Sequence, residues 1–158
     1  MKSQKGFTLI ELMVTIAVLA VVLSIAVPSF SSILSNNRIE TGAQELYGAL
    51  QLARSEAVKR KGQVRICKSN GQLDGCASGA DWSSGWLMVT ESGEVLKVWQ
   101  VQSYEVTGPS AGVVFSANGM AGTEETLDIS GPSCANDQKR TITVRKVGSA
   151  ALKKGTCG

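Results

Sequence analysis

Gly6-Phe7-Thr8-Leu9-Ile10-Glu11, running on through apolar residues to Val27, is the stretch on which the reading of this chain turns. From Phe7 to Val27 the run is 21 residues long, and Glu11 is its only charge. A helix of that length rises about 1.5 Å per residue and just covers a hydrocarbon core of roughly 30 Å. A carboxylate inside such a segment is costly and usually has a functional partner. Lys2 and Lys5 precede the run, which predicts a cytoplasmic N-terminus with the rest of the chain facing outward. A secretory signal peptide has a shorter apolar region and a small-residue cleavage site; Val27-Pro28-Ser29 is a poor one. A plain single-span anchor leaves Glu11 and the Gly6-Phe7 junction without a role.

Lys5-Gly6-Phe7-Thr8-Leu9-Ile10-Glu11-Leu12 resembles the class III leader junction of type IV pilins and type II secretion pseudopilins. The resemblance implies that prepilin peptidase cuts after Gly6 and methylates the new N-terminus at Phe7. It also implies that Thr8, Glu11 and Pro28 serve assembly. The domain boundaries follow: a leader over 1–6, a transmembrane and filament-core helix over 7–34, and a globular pilin head over 35–158. About 120 residues outside the membrane suit one domain with a modest core.

The formal charge of +3 conceals segregation. Without Lys2 and Lys5, 14 bases face 13 acids. Six of those bases lie between Arg54 and Lys68, and six more are Lys139, Arg140, Arg145, Lys146, Lys153 and Lys154. Between Asp74 and Asp128, eight acids stand against Lys97 alone. Such asymmetry speaks of partners rather than of fold.

Cys67, Cys76, Cys134 and Cys157 are an even count in a chain read as exported, so disulfides are expected. Three pairings exist in principle. The local one, Cys67–Cys76 with Cys134–Cys157, is favoured because each pair brackets its own loop. Neither spacing is a CxxC metal or redox motif. The chain has no histidine, which removes Ser-His and Cys-His nucleophile pairs and the usual metal ligands. With no glycine-rich phosphate loop or paired carboxylates either, the expectation is a non-catalytic protein without cofactor or metal.

Pro28 falls within what reads as one long helix from Phe7 to Arg60, so a bend near Ser24–Pro28 is expected. Beyond it Ile39, Ala43, Leu46, Leu50, Ala53 and Ala57 recur every three or four residues, an amphipathic stripe that needs a sheet to cover it. Gly62 is placed to cap the helix. The periodicity then changes. Val64–Cys67, Trp86–Thr90, Val95–Gln100, Val113–Ser116, Thr126–Ile129 and Thr141–Val147 read as strands, with a hairpin at Glu91-Ser92-Gly93-Glu94. Lys68 to Ser84 reads as a loop pinched by the first disulfide. The fold class is therefore α+β: a long N-terminal helix, half apolar anchor and half amphipathic, against a mainly antiparallel sheet.

Leu52-Ala53-Arg54-Ser55-Glu56-Ala57, Asp81-Trp82-Ser83-Ser84-Gly85-Trp86, Phe115-Ser116-Ala117-Asn118-Gly119 and Arg140-Thr141-Ile142-Thr143-Val144 extend the likeness, resembling the FimT/GspH type of minor pilin and pseudopilin. That group implies a helix with two packed β-sheets and a low-abundance subunit near the filament tip. The implied partners are prepilin peptidase, the major pilin, other minor pilins and the inner membrane. Glu11 is expected to meet the amine of Phe7 on a neighbouring subunit, giving register in low dielectric. The localisation implied is the bacterial inner membrane, single-pass with a periplasmic C-terminus, and then the extracellular pilus tip. A pseudopilin of a type II secretion system is the alternative.

Some members of the group bind DNA for natural transformation through a C-terminal Gly-Arg-x-Arg. Here the aligned stretch reads Gly148-Ser149-Ala150-Ala151, without either arginine. Lys139, Arg140, Arg145, Lys146, Lys153 and Lys154 still make this end basic, with no acid after Asp137. They are candidate DNA-binding residues of a salt-sensitive, sequence-independent kind. A solvated basic face, or a docking patch for an acidic neighbour, is the competing reading. Trp82, Trp86, Trp99 and Tyr104 lie in the acidic middle, so a stacking platform for single strands is poorly supported. On a strand through Thr141–Val147, Arg145 and Lys146 would point to opposite faces.

Overall fold

The computed structural model describes residues 7–101, 103–132, 134 and 138–157, the side chains of 26–29 excepted. The Gly6 junction and the leader lie outside the described residues. The chain divides into two compact units, one up to Ser35 and the other from Asn36 onward.

The helix α1 spans Leu9–Arg60, so it starts two residues later than the sequence suggests. The reason is at Thr8. Its hydroxyl accepts the N–H of Glu11 at 3.3 Å, and the Glu11 carboxylate accepts the Thr8 N–H and O–H at 2.8 Å each. This reciprocal capping box satisfies the first orphan donors of the helix and leaves Phe7 outside it. Helical structure continues through Pro28; the bend expected there falls on residues whose side chains lie outside the described set.

The other end also differs. Lys61, not Gly62, takes the left-handed backbone, with φ 54°. The Gly62 N–H reaches the Ala57 carbonyl at 3.2 Å and the Lys61 N–H the Val58 carbonyl at 3.3 Å. These are the two bonds of a Schellman cap, with Lys61 in the position glycine usually takes.

In the head, Ile39, Ala43, Leu46, Leu50, Ala53 and Ala57 of α1 are all buried, and Ala49 joins them. Burying each leucine contributes about 1.5–3 kcal/mol, with the alanines letting the strands approach. Two four-stranded antiparallel sheets cover this stripe. The first has the order β3-β2-β1-β5, from β1 (Val64–Lys68), β2 (Trp86–Thr90), β3 (Val95–Trp99) and β5 (Val113–Phe115). The second has the order β4-β6-β7-β8, from β4 (Glu105–Thr107), β6 (Glu125–Ser130), β7 (Lys139–Val144) and β8 (Ala150–Gly155). Val64, Ile66, Trp86, Phe115, Leu127, Ile129, Ile142 and Val144 share one core with α1.

The hairpin at Glu91–Glu94 is present, closed by the Gly93 N–H on the Thr90 carbonyl at 3.1 Å. Leu87 and Val89 face away from α1 and form a second small cluster with Cys67, Val95 and Val98. Trp82 is fully buried, its ring against Gly108 where a side chain would not fit. Trp86 stacks on Trp99 with centroids 6.4 Å apart. The indole N–H groups of Trp82 and Trp86 find no acceptor among the described residues; apolar burial of the rings outweighs that cost. Disulfides join Cys67 to Cys76 and Cys134 to Cys157.

Candidate functional site

In the unit up to Ser35, every large apolar side chain described, from Phe7 to Leu34, is exposed. By length and composition, α1 can cross a membrane. Such a surface is stable only in lipid or among other helices. Glu11 sits at its start with Thr8 as a local partner, so the carboxylate already holds two donors within its own chain. Of the residues expected to be processed, Phe7 is exposed just before the helix and Gly6 lies outside the described set, as does the side chain of the assembly residue Pro28.

The six C-terminal bases do not form one surface. Arg140 is 7% exposed, and its Nε donates to Glu40 Oε2 at 2.6 Å. Residues 140, 142 and 144 of β7 point to α1, which carries Arg140 inward. Its hydrogen bond, with that of Gln44 next, holds the Glu40 carboxyl below the ordinary carboxylate range. Arg140 is thus a packing residue bound to α1 rather than a free base.

Lys139 lies on the outer face of β7 and pairs with Asp128 at 3.2 Å. Lys153 stands opposite Thr141 on that same face. Lys154 stands opposite Arg140, on the α1 side, exposed at the sheet edge. Arg145 and Lys146 are not on a strand, because β7 ends at Val144. They sit in a tight turn, closed by the Arg145 N–H on the Ser149 carbonyl at 2.9 Å and the Gly148 N–H on the Arg145 carbonyl at 2.8 Å. Both are exposed, so the opposed-faces argument does not hold for them.

A group of residues beside this turn escapes sequence reasoning. Arg54 Nε on α1 donates to the Gly119 carbonyl at 3.0 Å, and its Nη2 donates to the Val147 carbonyl at 3.2 Å. Gly119 and Gly148 both have left-handed backbones. A Cβ on Gly148 would fall 1.8 Å from the Gly119 oxygen, closer than any real contact. Three separated motif stretches, around Arg54, Gly119 and Gly148, therefore meet at one point. The glycine of Gly148-Ser149-Ala150-Ala151 is demanded by packing whatever follows it.

A capped apolar helix carrying a disulfide-bonded head of two antiparallel sheets defines a type IV pilin-like fold, that of minor pilins and pseudopilins. The family described as type II transport protein GspH matches residues 42–148, and the prokaryotic N-terminal methylation motif matches residues 1–27. The chain belongs to the GspH family. The type IV minor pilin FimU of Pseudomonas aeruginosa is 27% identical with a TM-score of 0.57, over 72% of this chain and 91% of that one. The minor pseudopilin EpsH of the Vibrio cholerae type 2 secretion system shares the fold at 14% identity and a TM-score of 0.52, over 74% and 97%. A fimbrial protein of Pseudomonas aeruginosa is 36% identical over 58 residues, 37% of each chain. The type IV major fimbrial protein FimA of Dichelobacter nodosus is 32% identical over 87 residues, 54% of this chain and 46% of its own length. The chain thus spans less than half the length of the curated relatives it matches. It is a minor pilin or pseudopilin of a type IV pilus or a type II secretion system.

Proposed function

We propose that the chain is a non-catalytic minor pilin that enters and primes a type IV pilus after prepilin peptidase has cut between Gly6 and Phe7. The observation that carries this is the exposed apolar part of α1, whose one acid through Val27, Glu11, is the fifth residue past the junction. The processed helix waits in the inner membrane with its head outside, and Glu11 exchanges its Thr8 partners for the Phe7 amine of a neighbour. An uncompensated carboxylate in lipid is penalised, so this exchange selects the correct register. The 27% identity to FimU supports the pilus over a type II secretion pseudopilin, which is the alternative.

The test is the mass of the N-terminal peptide in sheared filaments. It should begin with methylated Phe7, and Gly6→Val should leave an uncleaved chain in the membrane. A Gly6→Val chain that matures and assembles normally would sink this reading. Absence from sheared pili, with a secretion defect on deletion, would favour the pseudopilin.

Binding of DNA during uptake is a second reading, supported by the four exposed bases Arg145, Lys146, Lys153 and Lys154. Phosphate contacts by these groups predict affinity that falls steeply with salt. Titrating duplex DNA into the oxidised full chain in micelles tests it. Loss of binding when all four become alanine supports uptake, and no binding at low salt removes it.

A further inference from the structure

The head buries or half-buries nearly all of its large apolar side chains. Among its described residues, those left exposed are Leu52, Val58, Met120 and Val147. Three of them gather at one place. Val58 Cγ2 lies 3.0 Å from where a Cβ on Gly119 would stand, next to Met120. Arg54 ties Gly119 to the Val147 carbonyl, and the Ala121 N–H bonds the Lys146 carbonyl at 3.0 Å. Val58, Met120 and Val147 are 49%, 44% and 58% exposed.

These side chains stand on an unusually fixed base. The turn carrying Met120 and the turn carrying Val147 cross at the Gly119–Gly148 contact, where no side chain fits, and Arg54 pins both. A preordered apolar patch loses little entropy on binding. The adjoining bases Arg145 and Lys146 are exposed and make no ion pair among the described residues. Val58 lies 22 residues beyond Asn36, about 33 Å of helix from where the chain enters the head.

We propose that Val58, Met120 and Val147, rimmed by Arg145 and Lys146, form the surface on which the head of a different pilin subunit docks, through an apolar centre flanked by carboxylates. The proposal rests on the pilin reading and names the contact it needs. A second copy does not fit. A symmetric contact would set Arg145 and Lys146 against themselves, and elsewhere the described head exposes only Leu52 as an apolar counterpart. Nucleic acid fits the bases but leaves three apolar side chains facing phosphates.

The experiment uses the full-length chain in cells that assemble its filament, with photoreactive benzoylphenylalanine at Val147 and, for comparison, at Thr126 on the outer face of β6. The expected result is an adduct from position 147, absent from 126, mapping to an acidic segment of another pilin's head. Arg145→Glu with Lys146→Glu should lower its yield about tenfold or more, with both disulfides and N-terminal processing intact. A chain found in filaments but giving the same adducts, or none, at both positions overturns the surface while leaving the pilin reading standing. Adducts with a second copy or with nucleic acid overturn the choice of partner. A processed chain missing from filaments overturns both.

Discussion

Arg140 Nε lies 2.6 Å from Glu40 Oε2, joining the inward face of β7 to α1 across 100 residues of sequence. Arg140 is nearly buried, whereas the Glu40 side chain is 43% exposed. The pair therefore acts less as a net source of stability than as a support for the inward placement of Arg140, whose Nη1 also donates to the Lys139 carbonyl at 2.8 Å.

Glu40→Gln should cost the head about 1–3 kcal/mol at neutral pH, because a nearly buried guanidinium loses its charge-assisted bond to that carboxylate. Partial exposure of Glu40 keeps the figure below that of a fully buried pair. The Glu40 pKa is lowered in the folded state. Its contribution is therefore present above the unfolded carboxylate pKa and lost as pH falls through the folded one. Thermal melts at neutral pH and near pH ~3 should show the wild type losing its advantage over Glu40→Gln in acid. Parallel pH profiles would show that the pair contributes nothing.

Gly148→Ala should be severe. The new methyl meets the Gly119 carbonyl and the backbone has φ 80°, so a loss of more than about 2 kcal/mol is expected. Gly93 supplies the contrast: its φ is 88°, but nothing stands within 4 Å of where its Cβ would be. Gly93→Ala should cost only the backbone strain, about 1 kcal/mol. Equal unfolding midpoints for the two variants would contradict the crossing-turn argument.

Lys61→Gly should stabilise the head. Lysine in the left-handed cap position is strained, and glycine there would relieve about 0.5–1 kcal/mol. The expected reading is a rise of a few degrees in the melting midpoint, about 2–6 °C, without change in the far-UV spectrum.

Replacing Cys134 and Cys157 together by serine should release the end of β8, which among the described residues pairs only with β7. The entropic cost of freeing that loop is about 2–4 kcal/mol, a fall on the order of 10 °C. Hydrogen exchange should quicken first in Ala150–Gly155, while β1 and β2 stay protected.

Much of this architecture is legible in the sequence for simple physical reasons. The stripe from Ile39 to Ala57 was readable because helical burial repeats every 3.6 residues. Trp86–Thr90 and Val95–Trp99 were readable because apolar β-branched and aromatic runs flank a glycine turn. The capping box was also there to be read, as threonine followed three residues later by glutamate. β4 carries no such signal, being a three-residue strand with one buried side chain. β8 is not legible either, because Ala-Ala-Leu-Lys-Lys-Gly has no alternation of its own and is a strand through the edge that β7 offers.

By itself, then, the sequence determined a membrane-length helix with one acid, an amphipathic continuation, local disulfides and a pilin-like class, all properties of neighbouring residues. Tertiary structure alone decided which bases are free. Arg140 and Arg145 are equal cations in sequence, yet one turns inward to Glu40 and the other sits in an exposed turn. That outcome depends on strand register and on where β7 stops. The meeting of Arg54, Gly119 and Gly148 was likewise hidden, because its contacts span up to 93 residues and no local period encodes a crossing of two turns.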